Sequence, residues 1–337
     1  MNRSLKKLAR CAATSALVFT LAANTWAAPF KGAAHLSVLA KQSVSVLRAS
    51  ERETEKKDRQ ARVRLPVPVS FREESGRGLL VSVWVNNVGP YIFAVDTGAG
   101  ATILSRRVMD EARVSQSGQR PLMIGGISGA GTVAGQGVLL HSLAIGYQDN
   151  LLPSSGLVIV TERLAPGIDG VLDPTEAYSP LGFEIDMPRG ELTAFDPRST
   201  PLRRNQNLLE DGTIVPWLTD GQSRRPFVML EGGRRALLDT GSGFGLALTE
   251  EAAISLGIVP GRGREHQNVR DLGGGYVAAH RIPPSTVRLG TLVLRGVPTD
   301  LLPNARAGSP VLLGRDALRP FRLTFDPVNR LVRIVPG

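Results

Sequence analysis

The strongest constraint on the fold of this chain is that its sequence is laid down twice. An apolar run from Leu79 to Val85, a turn over Asn86 to Pro90 and a second run from Tyr91 to Val95 lead into Asp96-Thr97-Gly98-Ala99-Gly100. Later, Pro226 to Leu230, a turn over Glu231-Gly232-Gly233-Arg234 and Ala236-Leu237-Leu238 lead into Asp239-Thr240-Gly241-Ser242-Gly243. Two apolar runs joined by turn residues read as a hairpin in each copy. Nine residues after Asp96, Ser105 is placed to cap a short helix through Arg113; ten after Asp239, Thr249 caps another. Glu250 and Glu251 then sit in a first turn, where the helix dipole favours acids. Ile145-Gly146 lies 49 and 50 residues after Asp96, and Leu289-Gly290 lies 50 and 51 after Asp239. Gly170-Val171-Leu172 and Leu312-Leu313-Gly314 both fall near an offset of 75, and Phe195-Asp196-Pro197 and Phe325-Asp326-Pro327 are expected to close the two units. A repeat of this kind fixes the architecture before any single motif is weighed.

The duplication sets the expected organisation: a first lobe at 66–197, a polar linker at 198–212 and a second lobe at 213–337. The chain of 337 residues is long enough for two domains and a leader. Its 37 glycines and 23 prolines favour short strands and tight turns over long helices. Residues 1–27 read as a secretory signal peptide. Arg3, Lys6, Lys7 and Arg10 precede an uncharged, mostly apolar run from Ala12 to Trp26, and Thr25-Trp26-Ala27 offers a cleavage site after Ala27. The run is short for a membrane span, and no later segment approaches the roughly 18 apolar residues that a span needs. An exported protein, periplasmic or secreted, is therefore expected, with no stable membrane span once the signal is removed; an uncleaved N-terminal anchor is the alternative. The single cysteine, Cys11, leaves with the leader, so the mature chain has neither disulfide nor thiol nucleophile.

The net charge of +10 invites a nucleic-acid partner, but its distribution argues against one. The leader carries +4 and residues 28–65 carry +5, leaving +1 from residue 66 onward. Residues 28–65 combine an amphipathic stretch (Leu36, Leu39, Val44, Leu47) with the charge run Glu51 to Arg64. They read either as a solvated basic linker or surface helix, or as a propeptide whose cations cover an acidic cleft.

A lone Asp-Thr-Gly arises by chance in roughly one chain of this size in fifteen, so one copy would count as an ordinary turn. Two copies, each after an apolar strand and before a capped helix, carry chemistry. Carboxylates held close across a pseudo-twofold axis cannot both ionise cheaply, so they share one proton and titrate as a pair. The ionised member can take a proton from a bound water while its protonated partner polarises a carbonyl. Gly98 and Gly241 let the backbone pass close to the acids and supply unhindered N–H donors. Thr97 and Thr240 are placed to hydrogen-bond across the lobe interface.

These residues resemble the pepsin/retropepsin superfamily of aspartic peptidases, in a bacterial-type exported, two-lobe form. Val95-Asp96-Thr97-Gly98-Ala99 has the retropepsin form, and Leu238-Asp239-Thr240-Gly241-Ser242 the pepsin form. Val311-Leu312-Leu313-Gly314-Arg315-Asp316, running into Phe325-Asp326-Pro327-Val328-Asn329-Arg330, resembles the C-terminal end of a pepsin-like lobe. The likeness covers both lobes and not residues 1–65. It implies a mainly β fold of two pseudo-symmetric retropepsin-like lobes with a cleft between them, and the split titration of the acidic pair is carried by the same resemblance. It further implies hydrolysis of peptide bonds in an extended polypeptide, Asp96 and Asp239 as catalytic residues, and Thr97, Gly98, Thr240, Gly241 and Ser242 as support for the two loops. No metal and no cofactor are implied. The chain is expected to act as a monomer, an intramolecular pseudo-dimer; pairing of lobes between chains is the other arrangement.

The sequence departs from the family at two places. Asp173 follows Val171-Leu172 where glycine is expected, which weakens the expected bracing of the first loop, and Ala99 lacks the hydroxyl that Ser242 can offer its carboxylate. Family members close a hairpin flap over the substrate. The candidates here are Met123 to Gly129, with Gly126, Ile127 and Ser128 as substrate-binding residues, and Leu272 to Tyr276, with Gly274 and Tyr276; simple surface hairpins are the plainer reading. Two such flaps would resemble a fused retropepsin dimer more than pepsin. A dinucleotide fingerprint at Gly129 to Ala134 lacks its helix. His35, His141, His266 and His280 have no metal-ligand spacing, and no Gly-x-Ser-x-Gly occurs. A non-catalytic peptide-binding protein on the same fold, gripping extended segments by strand addition, is the competing function. Asp173 is its main support.

Overall fold

In the computed structural model, residues 64–337 are described, apart from 117–121, 126–131, 163, 207–210, 222, 261–263, 271–275 and 306–307. The duplication read from the sequence becomes two sheets of matching strand order. In the first lobe Gly78–Val85 pairs with Val88–Val95. The order continues through Gly170–Leu172, Thr102–Ser105, Val158–Thr161 and Thr132–Leu139. In the second it runs Phe227–Met229, Arg235–Asp239, Val311–Gly314, Leu246–Leu248, Leu292–Leu301 and Tyr276–Leu289. Each lobe threads the same path. The chain is mainly β, with two sequence-separated lobes of the retropepsin type.

The elements that position the Asp-Thr-Gly loops follow from local chemistry. Asn86 and Asn87 both take positive φ (50° and 66°), a two-residue turn whose twist suits a hairpin. The turn is thus tighter than the Asn86-to-Pro90 span expected, because the second strand already begins at Val88. That strand ends in Val95, 1% exposed, and its counterpart ends beside Leu238, 0% exposed. Each is flanked by a parallel neighbour: Phe93 to Val95 align with Gly170 to Leu172, and Ala236 to Asp239 with Val311 to Gly314. The loops therefore leave from fully covered strands, and the direction of each aspartate is fixed from both sides.

Both expected helix caps are present. The Ser105 hydroxyl accepts from the Val108 N–H at the head of helix Arg106–Glu111, and Thr249 accepts from Ala252 at the head of Glu250–Ser255. The first helix stops at Glu111 and not at Arg113, which turns into the left-handed region at φ 49°.

A third sheet joins the halves. Its six strands run Val69–Ser70, Glu191–Phe195, Gly182–Asp186, Phe321–Asp326, Leu331–Pro336 and Thr213–Pro216, three from each half. The halves meet at Gly182–Asp186 and Phe321–Asp326, where Glu184 lies opposite Thr324. The pseudo-twofold axis passes through that pair, which makes Asp186 the counterpart of Asp326. Each closes a hairpin by accepting an N–H three residues on, from Arg189 at 3.0 Å and from Asn329 at 2.8 Å. This register overturns the expectation that Phe195-Asp196-Pro197 matches Phe325-Asp326-Pro327. Phe195 lies opposite Gly182, one strand further out. Under the sheet, Phe183 stacks on Phe325 with ring centroids 4.6 Å apart, continuing one core across the two halves.

Candidate active site

Asp96 and Asp239 stand at the ends of equivalent strands and meet at the lobe interface. Their carboxyl groups hydrogen-bond to each other. The glycines explain how they come so close. A Cβ on Gly241 would lie 2.2 Å from the Asp96 carboxyl carbon, and one on Gly98 2.7 Å from that of Asp239. Each glycine therefore lies against the carboxyl of the opposite lobe, where no side chain fits. The Gly98 N–H donates to Asp96 Oδ1 at 2.7 Å, and the Ser242 N–H to Asp239 Oδ1 at 3.0 Å.

Behind the acids the threonines interlock. The Thr97 hydroxyl donates to the Leu238 carbonyl at 2.6 Å, and the Thr240 hydroxyl to the Val95 carbonyl at 3.1 Å. Each hydroxyl also accepts the other threonine's N–H at 3.1 Å. Both threonines are fully buried. Four hydrogen bonds in this dry setting hold the two loops in one relative position.

Asp239 is buried, whereas Asp96 keeps partial exposure, so the pair is reached from one side. Burial pushes both carboxyls above the ordinary aspartate range. Asp239 is raised further because the neighbouring Asp96 charge opposes its ionisation. Asp96 is held lower by the Gly98 N–H and by its bond with Asp239. The two acids therefore titrate as one coupled pair, with Asp239 the more strongly raised member.

Arg315 is a member of the site that sequence reasoning did not assign. Its side chain is 7% exposed, and its guanidinium donates to the Thr240 and Gly241 carbonyls at 2.7 and 2.8 Å. It favours the ionised form of both acids. Glu73, from the first lobe, meets Arg315 at 3.4 Å and Arg319 at 2.9 Å, and Arg319 first of all holds its carboxyl below the usual range. An arginine directly after Leu312-Leu313-Gly314 in a buried run was the available signal.

Asp173 is fully buried at the head of helix Pro174–Ala177, where its Oδ1 accepts from the Thr175 N–H and hydroxyl. Ser242 serves Asp239 through its N–H, while its hydroxyl oxygen accepts from the Phe244 N–H at 3.3 Å. The strands leading to each candidate flap are paired, Leu122–Gly125 with Thr132–Leu139 and Arg264–Arg270 with Tyr276–Leu289. Gly126, Ile127, Ser128 and Gly274 lie outside the described residues, as does the side chain of Tyr276.

Residues 81–172 and 231–317, more than half of the chain, match the family model described as aspartyl protease. The chain belongs to that family. The two matched segments are separate in the chain, and each contains one Asp-Thr-Gly loop. No curated protein gives a significant match to this aspartyl protease. As a member of the family it is an aspartic-type endopeptidase, a hydrolase that cuts within polypeptides. Among the described residues no helix is long and apolar enough to cross a membrane.

Proposed function

We propose that Asp96 and Asp239 are the catalytic pair of this endopeptidase and activate a water held between them. The carrying observation is the reciprocal packing in which Gly98 and Gly241 each lie against the other lobe's carboxyl. Ionised Asp96 takes a proton from the water as its oxygen attacks the scissile carbonyl, and protonated Asp239 donates to the carbonyl oxygen. Asp96 then passes its newly gained proton to the leaving nitrogen as the C–N bond breaks, and Asp239 takes back the proton from the intermediate's hydroxyl as the carbonyl re-forms. Thr97, Gly98, Thr240, Gly241 and Ser242 act only by holding the acids in place.

The substrate is a polypeptide bound extended between the lobes, with Gly126, Ile127, Ser128, Gly274 and Tyr276 as the residues that would cover it. The working form is a monomer, because the six-stranded sheet and the threonine interlock are both completed within one chain. The functional unit runs from 66 to 197 and from 213 to 337, joined by 198–212. It is exported by the leader 1–27, and N-terminal sequencing of native protein distinguishes linker from propeptide at 28–65.

The test is peptide-library cleavage by purified Asp96→Asn and Asp239→Asn proteins. Each should lose at least a hundredfold in kcat/KM, in keeping with roughly 10²–10⁴ for general acid–base groups. Retained cleavage in either variant refutes the assignment. Binding of library peptides by wild type without any cleavage would favour the peptide-binding reading.

A further inference from the structure

The lobes differ most, near the paired acids, at one equivalent position. Gly170–Leu172 lies beside Val88–Val95 as Val311–Gly314 lies beside Arg235–Asp239, which makes Asp173 the counterpart of Gly314. In the second lobe a Cβ at 314 would come within 2.3 Å of the Phe244 carbonyl oxygen and 2.8 Å of that of Ser242. Only glycine fits there. The first loop is one residue shorter between its aspartate and its helix cap, and a whole carboxyl occupies the space.

Half of that carboxyl has a structural explanation. Oδ1 caps the short helix through Thr175 at 2.9 and 2.7 Å. Oδ2 is buried and has no hydrogen-bond partner among the described residues. A cap alone does not call for it, since serine caps as well and buries no second oxygen.

The charged groups that act on Asp173 are acids. Asp96 is on the loop side, joined to the same strand through its N–H to the Leu172 carbonyl at 2.9 Å. Glu176 lies on its own helix and is approached by Arg224 of the second lobe at 3.8 Å. Thr102 contributes a hydroxyl to the Asp173 N–H. Arg315 is committed to carbonyls of the Asp239 loop, and no cation forms an ion pair with Asp173 among the described residues. Burial, then the charges of Asp96 and Glu176, push this carboxyl up to about 7.

We propose that Asp173 is a third carboxyl of the site, a positioning residue that acts through Asp96 and sets the alkaline limit of activity. The inference rests on the catalytic assignment of Asp96 and Asp239. As the pH rises Asp173 releases its proton to solvent, and its new charge opposes removal of the proton that the pair shares. The singly protonated, active pair then persists to higher pH than two isolated aspartates would allow.

The first experiment is the pH profile of kcat/KM for wild type, Asp173→Asn and Asp173→Ser in the full chain. Serine keeps the cap and lacks the charge. Both variants should move the alkaline limb down by about one pH unit, tenfold in activity beyond the limb, as for a neighbouring like charge removed. An unmoved limb in a folded variant overturns the proposal, because a purely structural cap predicts that result. Should neither variant fold, carbon-13 NMR of aspartate carboxyls in wild type and Asp96→Asn decides. A midpoint near 7 must appear in wild type and fall in the variant. A midpoint that stays in place overturns the coupling, whereas cleavage by Asp96→Asn refutes the catalytic assignment itself.

Discussion

The threonine interlock should be the most costly small perturbation in this protein. In Thr97→Val the shape of the side chain is kept and one hydroxyl is lost. Two buried backbone groups then lose a partner: the Leu238 carbonyl, bonded at 2.6 Å, and the Thr240 N–H, bonded at 3.1 Å. An orphaned buried group costs about 1–3 kcal/mol, so the pair sums to about 2–6 kcal/mol. That is a large share of the roughly 5–15 kcal/mol by which a native protein is stable. Thr97 is fully buried, and solvent cannot reach in to replace the lost bonds. Urea denaturation of wild type, Thr97→Val and Thr97→Ser measures the difference, and kcat/KM reports whether the acids remain aligned. Serine keeps the hydroxyl and should recover most of the loss. A valine variant within about 0.5 kcal/mol of wild type would refute the reasoning, since that is the range of an ordinary surface substitution.

Gly241→Ala, with its Cβ directed 2.2 Å from the Asp96 carboxyl carbon, should lower kcat/KM by at least a hundredfold while far-ultraviolet circular dichroism stays native. Arg315→Met removes the cation that favours ionisation of both acids, so the acid limb of the kcat/KM profile should move to higher pH. Asp173 supplies a stability test of opposite sign to the usual aspartate. Its folded carboxyl titrates near 7, above its ordinary value, so its ionisation costs stability as the pH rises from about 4 to 7. Asp173→Asn should flatten that decline by about 3 kcal/mol between pH 5 and 8, read from urea denaturation curves.

Much of this was legible in the residues because the decisive signals are local. Asp-Thr-Gly twice, Ser105 and Thr249 as caps, and Gly170 to Leu172 against Val311 to Gly314 each depend on a few neighbouring side chains, and each lies where the repeat placed it. What was missed depends on contacts between distant segments. The shared six-stranded sheet is built by strand pairs such as Ile185 with Leu323, and no local pattern marks two edges that belong together. Phe195-Asp196-Pro197 misled because its letters match Phe325-Asp326-Pro327, while the working equivalent is Asp186, which closes its hairpin without the flanking phenylalanine and proline. Arg113 was assigned to the helix because it is a good helix former and no glycine marks the stop.

The charges at the lobe interface show what fusion of two similar halves into one chain permits. The stretch leading into each lobe's first strand reaches the short helix of the other lobe, but with opposite polarity. From the first lobe Glu73 meets Arg315 and Arg319; from the second, Arg224 meets Glu176. If the first lobe paired with a copy of itself, Glu73 would face Pro174 and Tyr178 at the equivalent positions, with no cation to meet it. If the second did so, Arg224 would face Ala317 with Arg315 and Arg319 alongside. The Arg319–Glu73 and Arg224–Glu176 pairs have exposed arginines and add little stability, on the order of 0–1 kcal/mol each, so their effect lies in which halves fit together. The same asymmetry extends to the acids. The Asp239 loop has a buried arginine beneath it and the Asp96 loop a buried carboxyl, so the surroundings of the two aspartates differ before anything binds. A symmetric pair would have to acquire that difference when substrate binds, whereas here it is set by two buried residues of the chain itself, Arg315 and Asp173.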